Sequence, residues 1–202
     1  MAWPWRRKSR RKLARIAIEG PIAGTTRERV LKALREVEQR EFPALLLRID
    51  SPGGTVGDSQ EIHAALRRLR DQGCRVVASF GNISASGGVY VGVAAEKIVA
   101  NPGSITGSIG VFGLQFDVKR LANDFGVTFD SVKTGRFADA LTISRPKTPE
   151  ELAVFQRMVD WIYGEFVGKV AESRRLDRAR VEEIAQGRVW SGEEGKAVGL
   201  VD

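Results

Sequence analysis

Apolar and polar positions along this chain recur with periods that predict strands and helices in near-regular alternation. Residues 13–18 read as a strand. Behind them Thr25 and Glu28 form a capping box, and Val30, Leu31, Leu34 and Val37 recur at helical spacing to about Arg40. Residues 44–50 are a short apolar run of the length of a buried strand, 51–57 a glycine-rich loop, and Asp58 with Glu61 caps a second helix through Leu69. A strand at 75–80, a small-residue helix at 85–95, a short strand at 97–100 and a loop at 101–110 complete a third unit. Residues 116–125 read as helix, 127–133 as strand, and 134–147 as a long connection of the kind that usually carries function. Thr148, Pro149 and Glu151 then open a long helix. Leu152, Phe155, Met158, Val159, Ile162, Phe166 and Val170 give it one apolar face, suited to a core or a subunit contact. Two short helices, 177–186 and 191–198, close the chain. The alternation implies an α/β fold with functional loops at strand ends.

Composition narrows the picture. At 202 residues, 43% hydrophobic and 28% charged, the chain has globular usage, which removes disorder, collagen and a coiled-coil rod. One domain over 13–202 is expected, preceded by a basic arm at 1–12. Cys74 and His63 are the sole cysteine and histidine. Together they exclude an internal disulfide and any multi-cysteine metal site, so no metal or other cofactor is expected. His63 lies beside the apolar stripe Ile62, Ala65, Leu66 and Leu69, a structural or solvated position rather than that of a triad base. Cys74 reads as a small buried apolar residue.

Charge is uneven. Arg6, Arg7, Lys8, Arg10, Arg11, Lys12 and Arg15 precede the first acid, Glu19, and account for the whole net charge of +7. The neutral body offers no second basic surface for nucleic acid. Neither a signal peptide nor a membrane span is read in the arm, because residues 13–18 are too short an apolar run. Trp3 and Trp5 beside the basic run suit an anionic membrane surface, so residues 3–15 are expected to give peripheral association, with a solvated tail as the alternative.

Three loops follow strands and could carry chemistry: Asp50-Ser51-Pro52-Gly53-Gly54, Ser84-Ala85-Ser86-Gly87-Gly88, and Ser104-Ile105-Thr106-Gly107-Ser108-Ile109-Gly110. A serine followed by glycines at a helix start offers an exposed hydroxyl, backbone N–H groups and the positive end of the helix dipole, which is an oxyanion site in outline. Each loop alone reads first as an ordinary turn; their joint occurrence carries the weight. Asp50 and Asp139 read as caps of their loops through Asx-type hydrogen bonds rather than as paired catalytic carboxylates.

With these loops, the segment Lys133-Thr134-Gly135-Arg136-Phe137-Ala138-Asp139 and the stretch Gly187-Arg188-Val189-Trp190, the chain resembles the signal peptide peptidase A serine proteases over nearly everything from Ile16 to Asp202. The resemblance implies a crotonase/ClpP-like superhelix of repeated ββα units. It implies Ser86 as nucleophile, the N–H groups of Gly54 and Gly87 as oxyanion hole, and the Ser108 hydroxyl as holder of a general-base lysine. Substrate would lie along Gly53, Gly54, Thr55 and Val56 as an added strand. Hydrophobic peptides, signal peptides among them, are the implied substrates, and a bowl-shaped homo-oligomer the implied assembly.

The position of the family's lysine is occupied by Ala138. A serine hydroxyl is a weak nucleophile until a base takes its proton, and alanine takes none. Lys133, five residues earlier, is not expected to reach Ser86. Two explanations stand: a lysine-to-alanine change introduced to trap an uncleaved complex, or a natural pseudoenzyme. The survival of Ser86, Ser108, Gly54 and Asp139 favours the first. The chain is expected to be a protease of this type that is inactive as it stands. The alternatives are a crotonase-like acyl-thioester enzyme, which uses the same fold without a serine nucleophile, and a non-catalytic peptide-binding pseudoprotease.

Overall fold

The computed structural model describes residues 13–202, so the arm and its two tryptophans lie outside the described residues. The chain divides into two compact units, one made of the residues up to Gly110 together with Glu165–Asp202, the other of Val111–Gly164.

The first unit opens β1 (Ala14–Glu19), α1 (Gly24–Gln39), β2 (Ala44–Ser51), α2 (Val56–Asp71), β3 (Arg75–Ala85), α3 (Gly87–Gly92), β4 (Lys97–Val99) and β5 (Ile105–Gly107). β1, β2 and β3 are parallel neighbours. β3 is long enough to serve two partners: Val77–Ser79 pairs with β4, and Ile83–Ala85 pairs with β5. The order is strand, helix, parallel strand, as short βα connections require.

Alternate strand residues point to one face, and on that face Ile16, Ile18, Leu45, Leu47, Ile49, Val76, Ala78 and Phe80 are buried. Helices supply the other half of this core: Val30, Leu34 and Val37 from α1, and Ile62, Leu66 and Leu69 from α2. On the opposite face Arg48 lies half-buried and donates to the Ser79 hydroxyl at 2.9 Å and the Phe80 carbonyl at 2.7 Å.

Some expected helix starts shift. α1 begins at Gly24 with Ala23 as its cap, so the Thr25–Glu28 capping box does not form. α2 begins at Val56 behind Thr55, whose hydroxyl donates to the Asp58 carboxylate at 2.6 Å; Asp58 therefore binds a side chain rather than capping the helix with Glu61. The small-residue helix is confined to Gly87–Gly92, because β3 runs on to Ala85, and the expected loop 101–110 contains β5.

After Gly110 the second unit holds α4 (Lys119–Asp124) and the start of α5 (Pro149–Arg174). Residues 127–133 form no strand. Their alternation finds no sheet edge within this unit, and Val127, Phe129 and Val132 are exposed. The helix start expected at Thr148 carries a capping box: the Thr148 N–H donates to Glu151 at 2.8 Å, and the Glu151 N–H to the Thr148 hydroxyl at 3.2 Å. Leu152 and Met158 on the expected apolar face are exposed, whereas Phe166, Val167 and Val170, which belong to the first unit, are buried.

The first unit ends with α6 (Arg178–Ile184), β6 (Val189–Ser191) and α7 (Gly192–Ala197), the last opened by a complete Ser191–Glu194 capping box. β6 pairs antiparallel with β5. It was not expected from the sequence, where three residues carry no period.

His63 is buried on α2, edge-on to Tyr90 at 5.3 Å, and Tyr90 is in turn edge-on to Phe166 at 5.1 Å. Burial, then the nearby Lys169 and Arg67, hold its pKa down at about 4. The fold thus keeps the ring neutral, while the unfolded chain takes up a proton below about pH 6.5. Stability is therefore expected to fall on acidification from about pH 6.5 to about pH 4, by up to roughly 3 kcal/mol, and to lose no more from this group below that. Urea unfolding midpoints across this range check it. His63→Leu should flatten the dependence; an unchanged slope would remove His63 as its cause.

Candidate active site

β3 ends at Ala85, α3 begins at Gly87, and Ser86 alone makes the turn, at φ 51° and ψ −118°. A positive φ at a residue bearing a Cβ is held only where the surroundings over-determine it, at a cost on the order of 1–3 kcal/mol. Two bonds hold this one: the Ser86 N–H donates to the Gly107 carbonyl at 2.9 Å, and the Ser86 carbonyl accepts from the Tyr90 N–H at 2.9 Å. The side chain is left half-buried at the mouth of the helix, where the first N–H groups have no intrahelical acceptor.

The Gly53–Gly54 loop lies against this turn. A Cβ built on Gly87 would stand 3.1 Å from the Gly54 nitrogen, and one on Gly53 would stand 2.8 Å from the Gly87 nitrogen. On its other side the loop is strapped to Ile22, whose N–H donates to the Gly53 carbonyl at 2.8 Å and whose carbonyl accepts from the Thr55 N–H at 2.9 Å. In an extended strand the groups of the intervening residue face the opposite way. The Gly54 N–H is thereby turned from Ile22 toward the start of α3. A side chain at 54 is excluded, because its Cβ would lie 1.9 Å from the Ile22 carbonyl oxygen. Of the expected substrate-contact residues, Gly53–Thr55 form this strap, and Val56 is already the first residue of α2.

Ser108 occupies the matching place on the neighbouring strand. Ala85 is in register with Gly107, so Ser86 and Ser108 are each one residue past a paired position, and Ser108 also has φ 51°. What holds Ser108 comes from far along the chain: its N–H donates to the Arg188 carbonyl at 2.6 Å. Trp190 packs so closely that a Cβ on Gly107 would meet its ring at 2.8 Å. The Gly187–Trp190 stretch thus acts through β6, a role that sequence reasoning missed.

Ser84 is the other serine of its loop. It is fully buried, and its hydroxyl has no hydrogen-bond partner among the described residues, as is true of Thr106 opposite it. Asp50 accepts from the Ile83 N–H at 3.1 Å on the adjacent strand, so it caps across the sheet rather than by the expected Asx turn.

In the second unit Ala138 is exposed on the 134–147 connection. Asp139, beside it, accepts from the Lys133 ammonium at 2.8 Å and the Arg145 Nε at 3.0 Å rather than capping its loop. Lys133 is thereby committed to Asp139. Arg145, then Lys133, hold the Asp139 carboxyl well below the usual carboxylate range. Arg145 also grips Glu151 through Nη2 at 2.6 Å and Nη1 at 2.9 Å, and together with Thr148 it keeps that carboxyl down at about 2.

Comparison with known proteins decides the family. The model of "Peptidase family S49" matches residues 68–202. The chain belongs to peptidase family S49. A Synechocystis protein named as a protease is 49% identical over 202 residues, covering 100% of this chain and 73% of the relative. Protease 4 of Salmonella typhi is 40% identical over 159 residues, 79% of this chain and 26% of the relative. A protein of Enterococcus faecium named as a signal peptide peptidase is 31% identical over 206 residues, 96% of this chain and 60% of the relative. This S49 chain therefore spans most of one relative but only about a quarter of another. Its fold is ClpP-like: a ClpP1 mutant from Listeria monocytogenes superposes with a TM-score of 0.67 at 17% identity, covering 93% of this chain and 88% of that one. No helix of the described residues is long and apolar enough to cross a membrane, and no group of three or more His, Cys, Asp and Glu among them could hold a metal ion.

Proposed function

We propose that this S49 protease is a Ser/Lys-dyad endopeptidase of the signal-peptide-peptidase type, with Ser86 as nucleophile and position 138 as the seat of its general base. The reading is supported by the strained Ser86 turn, against which the Gly53–Gly54 loop packs, so that the N–H groups of Gly54 and Gly87 are available as two adjacent donors. Such preorganised donors are what a developing oxyanion needs. The catalytic sequence is attack by the Ser86 oxygen on the scissile carbonyl as its proton passes to the base, collapse with proton return to the leaving amine, then the same steps with water on the acyl-enzyme. Ser108, level with Ser86 on the neighbouring strand, holds the base amine in place. With Ala138 the first proton has no acceptor, so this chain binds peptides and turns them over poorly if at all; the same alanine favours the second reading, a peptide-binding pseudoprotease.

Substrates are extended apolar peptides, signal peptides among them, lying along Gly53–Thr55. A homo-oligomer is supported by the second unit, where Phe112, Phe125 and Leu141 are 82%, 80% and 76% exposed. The basic arm would bring the assembly to an anionic membrane surface.

Covalent labelling tests the nucleophile. A fluorophosphonate applied to the Ala138→Lys variant is expected to modify Ser86. Adding Ser86→Ala should abolish the labelling and adding Ser84→Ala should leave it, because the Ser84 hydroxyl is buried. Adding Ser108→Ala should slow it. Labelling that survives Ser86→Ala would overturn the assignment.

A further inference from the structure

Four charged side chains in the second unit form a neutral cluster around the residue next to position 138. Asp139 is held from two sides. Lys133 donates to its Oδ1 at 2.8 Å, and Arg145 contacts Oδ1 through Nη2 at 2.8 Å and Oδ2 through Nε at 3.0 Å. The same guanidinium engages both oxygens of Glu151, which is only 2% exposed, and donates to the Pro146 carbonyl at 3.0 Å. Glu151 in turn accepts from the Thr148 N–H at the start of α5. A single planar fork thus joins the connection carrying position 138 to a capped helix start, a task a flexible ammonium could not do with the same geometry. Other charges of the same stretch are paired elsewhere: Arg136 with Glu150, and the Lys147 ammonium donates to the Thr142 carbonyl.

The consequence concerns an amine at position 138. A lysine base works only if it loses its proton near neutrality, about three pH units below its ordinary pKa of about 10.4. A free carboxylate on the adjacent residue would pair with the ammonium and keep it protonated. Here both oxygens of that carboxylate are already occupied by Lys133 and Arg145.

We propose that Arg145 is a positioning residue for the base at position 138: it fixes the connection against the start of α5 and, with Lys133, keeps Asp139 from pairing with the base amine. This rests on the dyad reading above. It adds to that reading a residue that never touches substrate and yet sets the proton affinity of the base.

The test reads that affinity directly. The full chain carrying Ala138→Lys and Ser86→Ala is labelled with ¹³C at lysine Cε. The new resonance is assigned by its absence from the chain without Ala138→Lys, then titrated. Arg145→Gln is expected to raise the pKa of the introduced amine by about one pH unit. Adding Asp139→Asn should cancel the rise, since the competing carboxylate is then gone, and Arg145→Lys should restore most of the original value. Lys133→Met, at an exposed site, should give a smaller rise of the same sign and serves if Arg145→Gln does not fold. An amine whose pKa is the same with and without Arg145 and Lys133, or a rise that persists with Asp139→Asn, overturns the proposal. None of this needs activity. Failure of the dyad itself shows separately, as a lysine variant with Ser86 intact that folds and hydrolyses nothing.

Discussion

Ala138→Lys is expected to raise hydrolysis of casein and of apolar peptides by about 10² to 10⁴-fold over the chain as it stands, the usual worth of a positioned general base. The other proposed parts lie close together in the first unit. Ser86 is fixed in its turn by the Gly107 carbonyl, the Gly54 and Gly87 loops are adjacent, and Ser108 stands level with Ser86 on the next strand. On the proposed reading the missing part is a proton acceptor, without which a serine hydroxyl is a weak nucleophile. The gain should appear in kcat rather than KM, because a general base acts in the chemical step. Activity should rise with pH through the pKa of the introduced amine, whose neutral form is the working one. A variant that folds with the same urea midpoint yet hydrolyses no substrate across pH 6 to 9 would sink the dyad reading and leave the peptide-binding pseudoprotease.

The second large effect is expected at Gly54. In the Ala138→Lys background, Gly54→Ala should lower kcat by about 10² to 10³-fold, the cost of losing one oxyanion donor. Its Cβ would stand 1.9 Å from the Ile22 carbonyl oxygen, so the loop must move off Ile22 and shift the Gly54 N–H out of its present place beside the start of α3. The same displacement should destabilise the fold by about 1–3 kcal/mol, read as a shifted unfolding midpoint. Gly57→Ala is the control: it lies in the first turn of α2, a Cβ there meets nothing within 4 Å, and activity should be unchanged. Retained activity in a folded Gly54→Ala variant would show that the second donor is some other group.

Much of the architecture was legible before any coordinates. β1, β2, the N-terminal part of β3, α1, α2 and α5 announce themselves by period, because each is long enough for one buried face to recur several times. The three glycine-bearing loops were legible for a different reason: serine and glycine clusters mark places where the chain turns tightly at a strand end. The family resemblance drew its weight from those loops.

Elsewhere local signals misled or were silent. Thr25 with Glu28 has the composition of a capping box, yet the cap of α1 falls two residues earlier, at Ala23. Residues 127–133 alternate as a strand should, but a strand exists only where another edge accepts its hydrogen bonds, and the second unit offers none. β5 and β6, three residues each, are too short for any period and exist because distant segments supply their partners.

By itself, then, the sequence determined the α/β alternation and the placement of Ser86, Gly54 and Ser108 in glycine-bearing loops behind strands, which are properties of residue type and spacing, while the reading of Ala138 as the place of a base rests on the family resemblance. Only the tertiary structure decided that Ser86 and Ser108 share a level of the sheet, that Arg188 and Trp190 set the turn at Ser108, and that Asp139 is tied to Lys133 and Arg145 instead of capping its own loop. The physical reason is the same in each case: these arrangements are fixed by hydrogen bonds and ion pairs between groups whose residue type leaves many partners open, and the choice among them is made by where the packed chain brings the backbone.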